Sequence, residues 1–212
     1  MNLDRAEFER RYADGTLKLA LVGMSNIGKS YSAMRLATDF DFTLIEVDRL
    51  IWGALGEDDM DAFAVWQGQP YTLGYAERER RSIALETDAT RKSLLSTARN
   101  PILDTTGSVI YTDEDVLEAM KRDWFVVYIE AAEAHLERLK SQYFARPKPL
   151  AWNGHYRTLE GMSQTESLLA CYPGLLASRA KDYARLADRT ISSEDILVPN
   201  TSALFDLVKP AR

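Results

Sequence analysis

GMSNIGKS occupies residues 23–30, directly after the apolar run LALV at 19–22. Gly23, Gly28, Lys29 and Ser30 satisfy the pattern G-x-x-x-x-G-K-[ST]. Each residue type has a physical reason to be there. Glycines let the backbone turn tightly and bring its N–H groups against phosphate oxygens, and the helix that follows offers its positive end. A lysine reaches the outer phosphates of a nucleotide, and a serine hydroxyl ligates Mg²⁺. The whole stretch, Gly23, Met24, Ser25, Asn26, Ile27, Gly28, Lys29, Ser30 and Tyr31, is therefore expected to cradle phosphates.

Such a loop needs a strand before it and a helix after it, and the flanking residues predict both. LKLALV at 17–22 is short and apolar, as suits a buried parallel strand, and 29–38 reads as a helix. Further strands are predicted at FTLIEV (42–47), PILD (101–104), WFVVYIE (124–130) and, more weakly patterned, RTIS (189–192). Helices are predicted after Val47 to about Gly56, over 74–98, 113–122, 132–142 and 162–187, and over TSALFDLV with Thr201 or Ser202 as its cap. Residues 57–72 read as irregular or short-helical. Alternating strands and helices imply an α/β fold, a three-layer sandwich around a parallel, roughly five-stranded sheet. A single domain is expected over 1–212, with an N-terminal extension at 1–16 and a helical or loop lid inserted at about 143–160.

Composition narrows the function. Lys and Arg number 26 against 32 Asp and Glu, a net charge of −6, so there is no general electrostatic footprint for nucleic acid. No run of eighteen apolar residues is present and the N-terminus lacks an apolar signal segment, so the expectation is a cytoplasmic protein with no membrane contact. Cys171 is the only cysteine and reads as a small buried hydrophobe. His135 and His155 lack metal-ligand spacing, and no structural zinc is expected. DTTG at 104–107 fits the D-x-x-G of switch GTPases, but no N-K-x-D or T-K-x-D segment follows it.

Five stretches, in order along the chain, resemble the shikimate kinases of the nucleoside monophosphate kinase-like superfamily. Beside GMSNIGKS, IEVDRLI is similar to that family's D-x-D-x-x-I, with Glu46 and Asp48 at the two acids. LDTTGSV lies where the family has a triple-glycine turn, of which only Gly107 is kept between Thr106 and Ser108. FARPKPL is similar to the lid segment R-P-L-L and places Arg146 on the lid arginine. SRAKDYARLAD is similar to R-x-x-x-Y-x-x-x-A and places Arg179 on an arginine that in the family binds the substrate carboxylate. The family's F-R-x-x-E has no clean counterpart: alignment of Tyr75 and Glu79 puts Ala76 at the arginine, and Arg78 or Arg81 is left as a substitute.

The resemblance implies an ATP- and Mg²⁺-dependent kinase that phosphorylates a hydroxyl on a small polar, carboxylated metabolite. Lys29, Asp48 and Arg146 are then the catalytic residues, Asp48 as general base and Arg146 as a lid cation; Gly107 and Arg179 join Asp48 at the substrate; Ser30 and Asp104 serve the metal. For Asp48 a helix cap before RLIW is the competing reading, for Glu46 a solvated edge, and for Arg179 an ion pair with Asp182. Tyr143, Phe144, Trp152 and Tyr156 read either as an aromatic lid over ligand or as the lid's own packing. His155 reads as structural or exposed. The expected partner is a small molecule, and the chain a monomer or homodimer. Two other functions stay open: a nucleoside or nucleotide kinase, and an ATP-binding regulatory module without acceptor turnover.

Overall fold

Four consecutive apolar residues with no polar alternate cannot face water on either side, and Leu19–Val22 is buried at every position. That strand is the centre of the sheet. The computed structural model describes residues 1, 3–56, 60–145 and 150–211. In chain order the elements are α1 (Arg5–Asp14), β1 (Leu19–Val22), α2 (Lys29–Asp39), β2 (Thr43–Glu46), α3 (Val47–Leu55), α4 (Met60–Gln67), α5 (Tyr75–Leu94) and β3 (Pro101–Asp104). A single 3-10 turn at Val109–Tyr111 leads to α6 (Glu114–Asp123), β4 (Phe125–Glu130), α7 (Glu133–Ala145), α8 (Gln164–Leu186), β5 (Arg189–Ser192) and, after a second 3-10 turn, α9 (Thr201–Val208).

The strands order as β2-β3-β1-β4-β5, and every neighbouring pair is parallel. The α/β class and the five strands expected from the sequence are present. β1 and β4 are neighbours whose onward connections run in opposite directions, to β2 and to β5, and this opens a crevice at the strands' carboxyl ends. Register brings Asp104 of β3 beside Leu21 of β1 on one side and Glu46 of β2 on the other. α2 packs over β1, β2 and β3 and against α9, while α6 and α8 pack over β4. No helix among the described residues is long and apolar enough to cross a membrane.

Several local expectations need correction. Residues 1–16 are not an appendage: α1 inserts Phe8 fully into the core, edge-on to Phe125 at 5.3 Å and 6.1 Å from Phe205. Phe8→Ala is accordingly expected to cost about 3–5 kcal/mol of unfolding free energy, read from urea denaturation. β2 stops at Glu46 rather than Val47, because Val47 and Ile51, both buried and four apart, turn the apolar face of α3 inward at once. α9 is capped by neither Thr201 nor Ser202 but by Asn200, whose Oδ1 accepts from the Ala203 N–H at 2.8 Å. Cys171 is half-buried, not buried, and its thiol faces the Arg157 carbonyl at 3.6 Å. Part of the expected lid, 143–145, is the last turn of α7.

Candidate active site

At the end of β1 the chain turns sharply at Gly23 (φ 146°), where an added Cβ would lie 2.7 Å from the Ile129 carbonyl oxygen of β4. Only glycine fits that approach. Gly28 stands before α2 with no side-chain cap, so the first N–H groups of that helix face the loop. Lys29 is buried, and its Nζ donates across its own loop to the carbonyls of Gly23 (3.0 Å) and Met24 (2.9 Å). Burial pulls the ammonium below the ordinary lysine range, opposed by the charges of Asp104 and Asp48.

Asp104 ends β3 beside this loop, buried, and its Oδ1 has no hydrogen-bond partner among the described residues. Burial raises its pKa, while Lys29 and a hydrogen bond from Ser30 work the other way. An under-satisfied buried carboxylate next to a serine hydroxyl is a donor set that fits Mg²⁺, which nucleotide sites hold with one or two protein oxygens plus phosphates and waters. No group of three or more His, Cys, Asp or Glu side chains suited to a metal occurs among the described residues.

From the loop a cavity of about 540 Å³ opens toward α3, α4 and α5. It brings together Lys29, Ser30, Asp48, Gly107 and Arg179, which the sequence had placed at a common site from positions up to 150 residues apart. Asp48 reaches it from the first turn of α3 and not from a strand end. Nor is it the cap of that helix, since Glu46 occupies the cap position. Glu46 itself points elsewhere and pairs with Arg49 at 3.0 Å, because alternation along a strand no longer relates it to a residue on a helix. Arg146 lies outside the described residues; Gln142, Ala145, Leu150 and Ala151 on either side of it line the cavity.

Neither helix arginine enters. Arg78 donates to the carbonyls of Gln67 (3.0 Å) and Leu73 (3.1 Å) and fastens the turn before α5, and Arg81 lies over the Trp66 ring. Of the four lid aromatics, the Phe144 side chain lies outside the described residues; the others turn inward, with Tyr143 stacked on Tyr172 at 4.9 Å and Trp152 edge-on to Tyr143 and Tyr156. His155 stands half-buried in the turn after Trp152 and is not in the cavity wall.

Arg179 is 2 % exposed. It makes no pair with Asp182, which is taken by Arg185. Instead its guanidinium donates to the carbonyls of Gly107 (2.8 Å) and Ala151 (2.6 Å) and to the Tyr111 hydroxyl (3.3 Å). One N–H on each terminal nitrogen is left over by this count. Gly107 is held from three sides. Its carbonyl also accepts from Tyr183, and a Cβ there would meet Ser25 Oγ at 2.7 Å and the Ser25 nitrogen at 3.0 Å.

The sequence reading missed the acid on the opposite wall. Glu86 of α5, 1 % exposed, accepts from the hydroxyls of Thr106 and Ser108 (2.5 Å to Ser108). The available signal was its place on the buried face of α5, with Ser82, Ala89, Thr90 and Ser93. Burial lifts its pKa to about 7 against the pull of Ser108 and Thr106. Between the ordinary carboxylate value of 4.5 and 7 the folded chain therefore binds more protons at this group than the unfolded chain, and stability falls as pH rises through that window. Glu86→Gln is expected to flatten the pH dependence of Tm between 4.5 and 7. Above pH 7 the variant should be the more stable protein, by an amount on the order of 3 kcal/mol at most.

A smaller hollow of about 210 Å³ shares Asn26, Gly28 and Tyr31 with the cavity and continues on the far side of the loop. Its walls are His135 and Arg138 of α7 with Ile196 and Leu197 after β5. The loop thus lines two spaces of unequal size.

The fold has counterparts among solved structures. The fold is that of the shikimate kinase-like P-loop proteins. Shikimate kinase from Bacteroides thetaiotaomicron superposes with a TM-score of 0.57 at 15 % identity, over 91 % of this chain and 94 % of its own. The enzyme from Aquifex aeolicus gives 0.56 at 17 % identity, with 91 % of each chain covered. That from Acinetobacter baumannii, solved with shikimate, gives 0.55 at 22 % identity over 92 % of this chain and 91 % of its own. No protein-family model matches the chain and no curated protein is significantly similar to it in sequence.

Proposed function

We propose that this chain transfers the terminal phosphoryl group of ATP to a hydroxyl of a small polar metabolite that carries a carboxylate. The observation that carries the reading is the meeting of Lys29, Asp48 and Arg179 in one cavity whose floor is the phosphate loop. Phosphoryl transfer asks a protein for alignment and charge neutralisation more than for covalent chemistry. The stretch from Gly23 to Tyr31 supplies N–H groups to the phosphates, and Lys29 exchanges its two loop carbonyls for phosphate oxygens. Ser30 and Asp104 hold Mg²⁺, which neutralises phosphate charge when bound. The adenine end lies in the hollow beside Arg138 and Ile196.

Asp48 faces the acceptor hydroxyl and takes its proton as the oxygen attacks. The two remaining N–H groups of Arg179 hold the acceptor carboxylate, and the backbone at Gly107 lines the approach. Arg146 is the lid cation by resemblance alone. ADP release should depend on an acceptor: purified protein with Mg-ATP is assayed against shikimate and then against pooled hydroxylated acids, sugars and nucleosides. ADP formation with an acid supports the reading, formation only with nucleosides replaces it by nucleoside phosphorylation, and Mg-ATP binding with no acceptor turnover replaces it by a regulatory module.

A further inference from the structure

The acceptor half of the cavity is charged in a way that a simple hydroxy acid does not match. With Lys29 assigned to phosphates, the charged side chains among the described residues that line it are Asp48, Glu86 and Arg179, two acids and one base. Arg179 is itself partly committed, since three of its five N–H groups are held by protein oxygens. A carboxylate seated at Arg179 adds negative charge near the half-buried Asp48 and the buried Glu86. Charges so placed are costly unless matched.

Glu86 marks where the match is missing. Glu86 and Arg179 hold the same turn: Glu86 accepts from the side chains of Thr106 and Ser108, and Arg179 donates to the carbonyl of Gly107 between them. Two hydroxyl donors already reach the carboxylate, yet burial still keeps its pKa near 7. Another neutral hydroxyl would add one more bond of the same kind. The charge of Arg179 already lowers that pKa, and a second positive charge in direct contact would favour the ionised form further. A second unsatisfied group lies in the same wall: Gln67 of α4 is 1 % exposed, and its Nε2 has no hydrogen-bond partner among the described residues. A buried amide donor left open inside a cavity is a place for a ligand oxygen.

Resting on the phosphotransfer reading above, we infer that the acceptor is a hydroxylated zwitterion: its carboxylate goes to Arg179, an ammonium group goes to Glu86, and Gln67 donates to an oxygen of the same molecule. Glu86 is then a specificity-determining residue that separates amino-bearing hydroxy acids from the hydroxy acids that lack an amine. Asp48 keeps its place at the reacting hydroxyl.

The test uses matched acceptors that differ only in the ammonium group, homoserine against 4-hydroxybutyrate and threonine against 3-hydroxybutyrate, with shikimate as an amine-free polyhydroxy acid. Binding to the full chain saturated with Mg-ADP is read by ligand-observed NMR, and ADP formation from Mg-ATP is read in parallel. At least one aminated member should bind ten times more tightly than its amine-free partner and than shikimate, and Glu86→Gln should bring that ratio to near one. The inference is overturned if amine-free acids or shikimate bind as well or better, if no probe binds, or if the preference survives in Glu86→Gln. The wild-type comparison decides the matter even where the variant does not fold. Selective binding of the aminated probes with no ADP formed would sink the phosphotransfer reading and leave the charge match standing.

Discussion

Lys29→Ala is expected to lower kcat for acceptor-dependent ADP formation by about a thousandfold, the scale seen when a preorganised positive group is removed from a developing negative charge. The side chain is buried in its own loop and braced by only two carbonyls, so the substitution takes away charge without opening the core. Affinity for Mg-ATP should also fall, because the same ammonium meets the phosphates in the ground state. Steady-state kinetics beside a thermal melt separates the outcomes. A kcat within threefold of wild type would remove Lys29 from the chemistry, and a collapsed melt would mean that the lysine holds the loop together.

Asp48→Asn should cut kcat by about 10²–10⁴-fold, the range for loss of a positioned proton acceptor, while Mg-ATP affinity changes little. The exchange keeps shape and removes basicity. Asp48 sits one residue inside α3, where an acid suits the helix N-terminus, so a loss of helix stability of less than about 1 kcal/mol is the most its dipole contribution allows. A variant that loses nucleotide affinity and turnover in equal proportion would place Asp48 at the metal instead of the acceptor. One that turns over normally would leave the proton to solvent.

The parts of this molecule that were legible beforehand are those whose physics is local. Four apolar residues followed by two spaced glycines, a lysine and a serine define a strand, a turn and a helix start within twelve positions, and β1, the loop and α2 appear there. Asp48 was assigned to the cavity for a partly mistaken reason, since the helical spacing of Val47 and Ile51 outweighed strand alternation one residue early. Glu86 was hidden because its partners stand 20 and 22 positions away, and an acid within a charged helix looks like any other solvated acid. Arg78 misled for the converse reason: its basic neighbours suggested an anion, while the groups it satisfies are carbonyls of the turn just before it.

The turn Thr106–Gly107–Ser108 has an evolutionary consequence. Because Glu86 and Arg179 grip it from two sides, exchange of Thr106 or Ser108 for glycine is not neutral: each removes one of the two hydroxyl donors to a buried carboxylate. Thr106→Gly and Glu86→Gln should therefore be strongly epistatic, the double variant departing from additivity by about 1 kcal/mol or more. Drift between this pocket and a glycine-lined one has to pass through coupled replacements, so intermediates along any one-step path are the less fit.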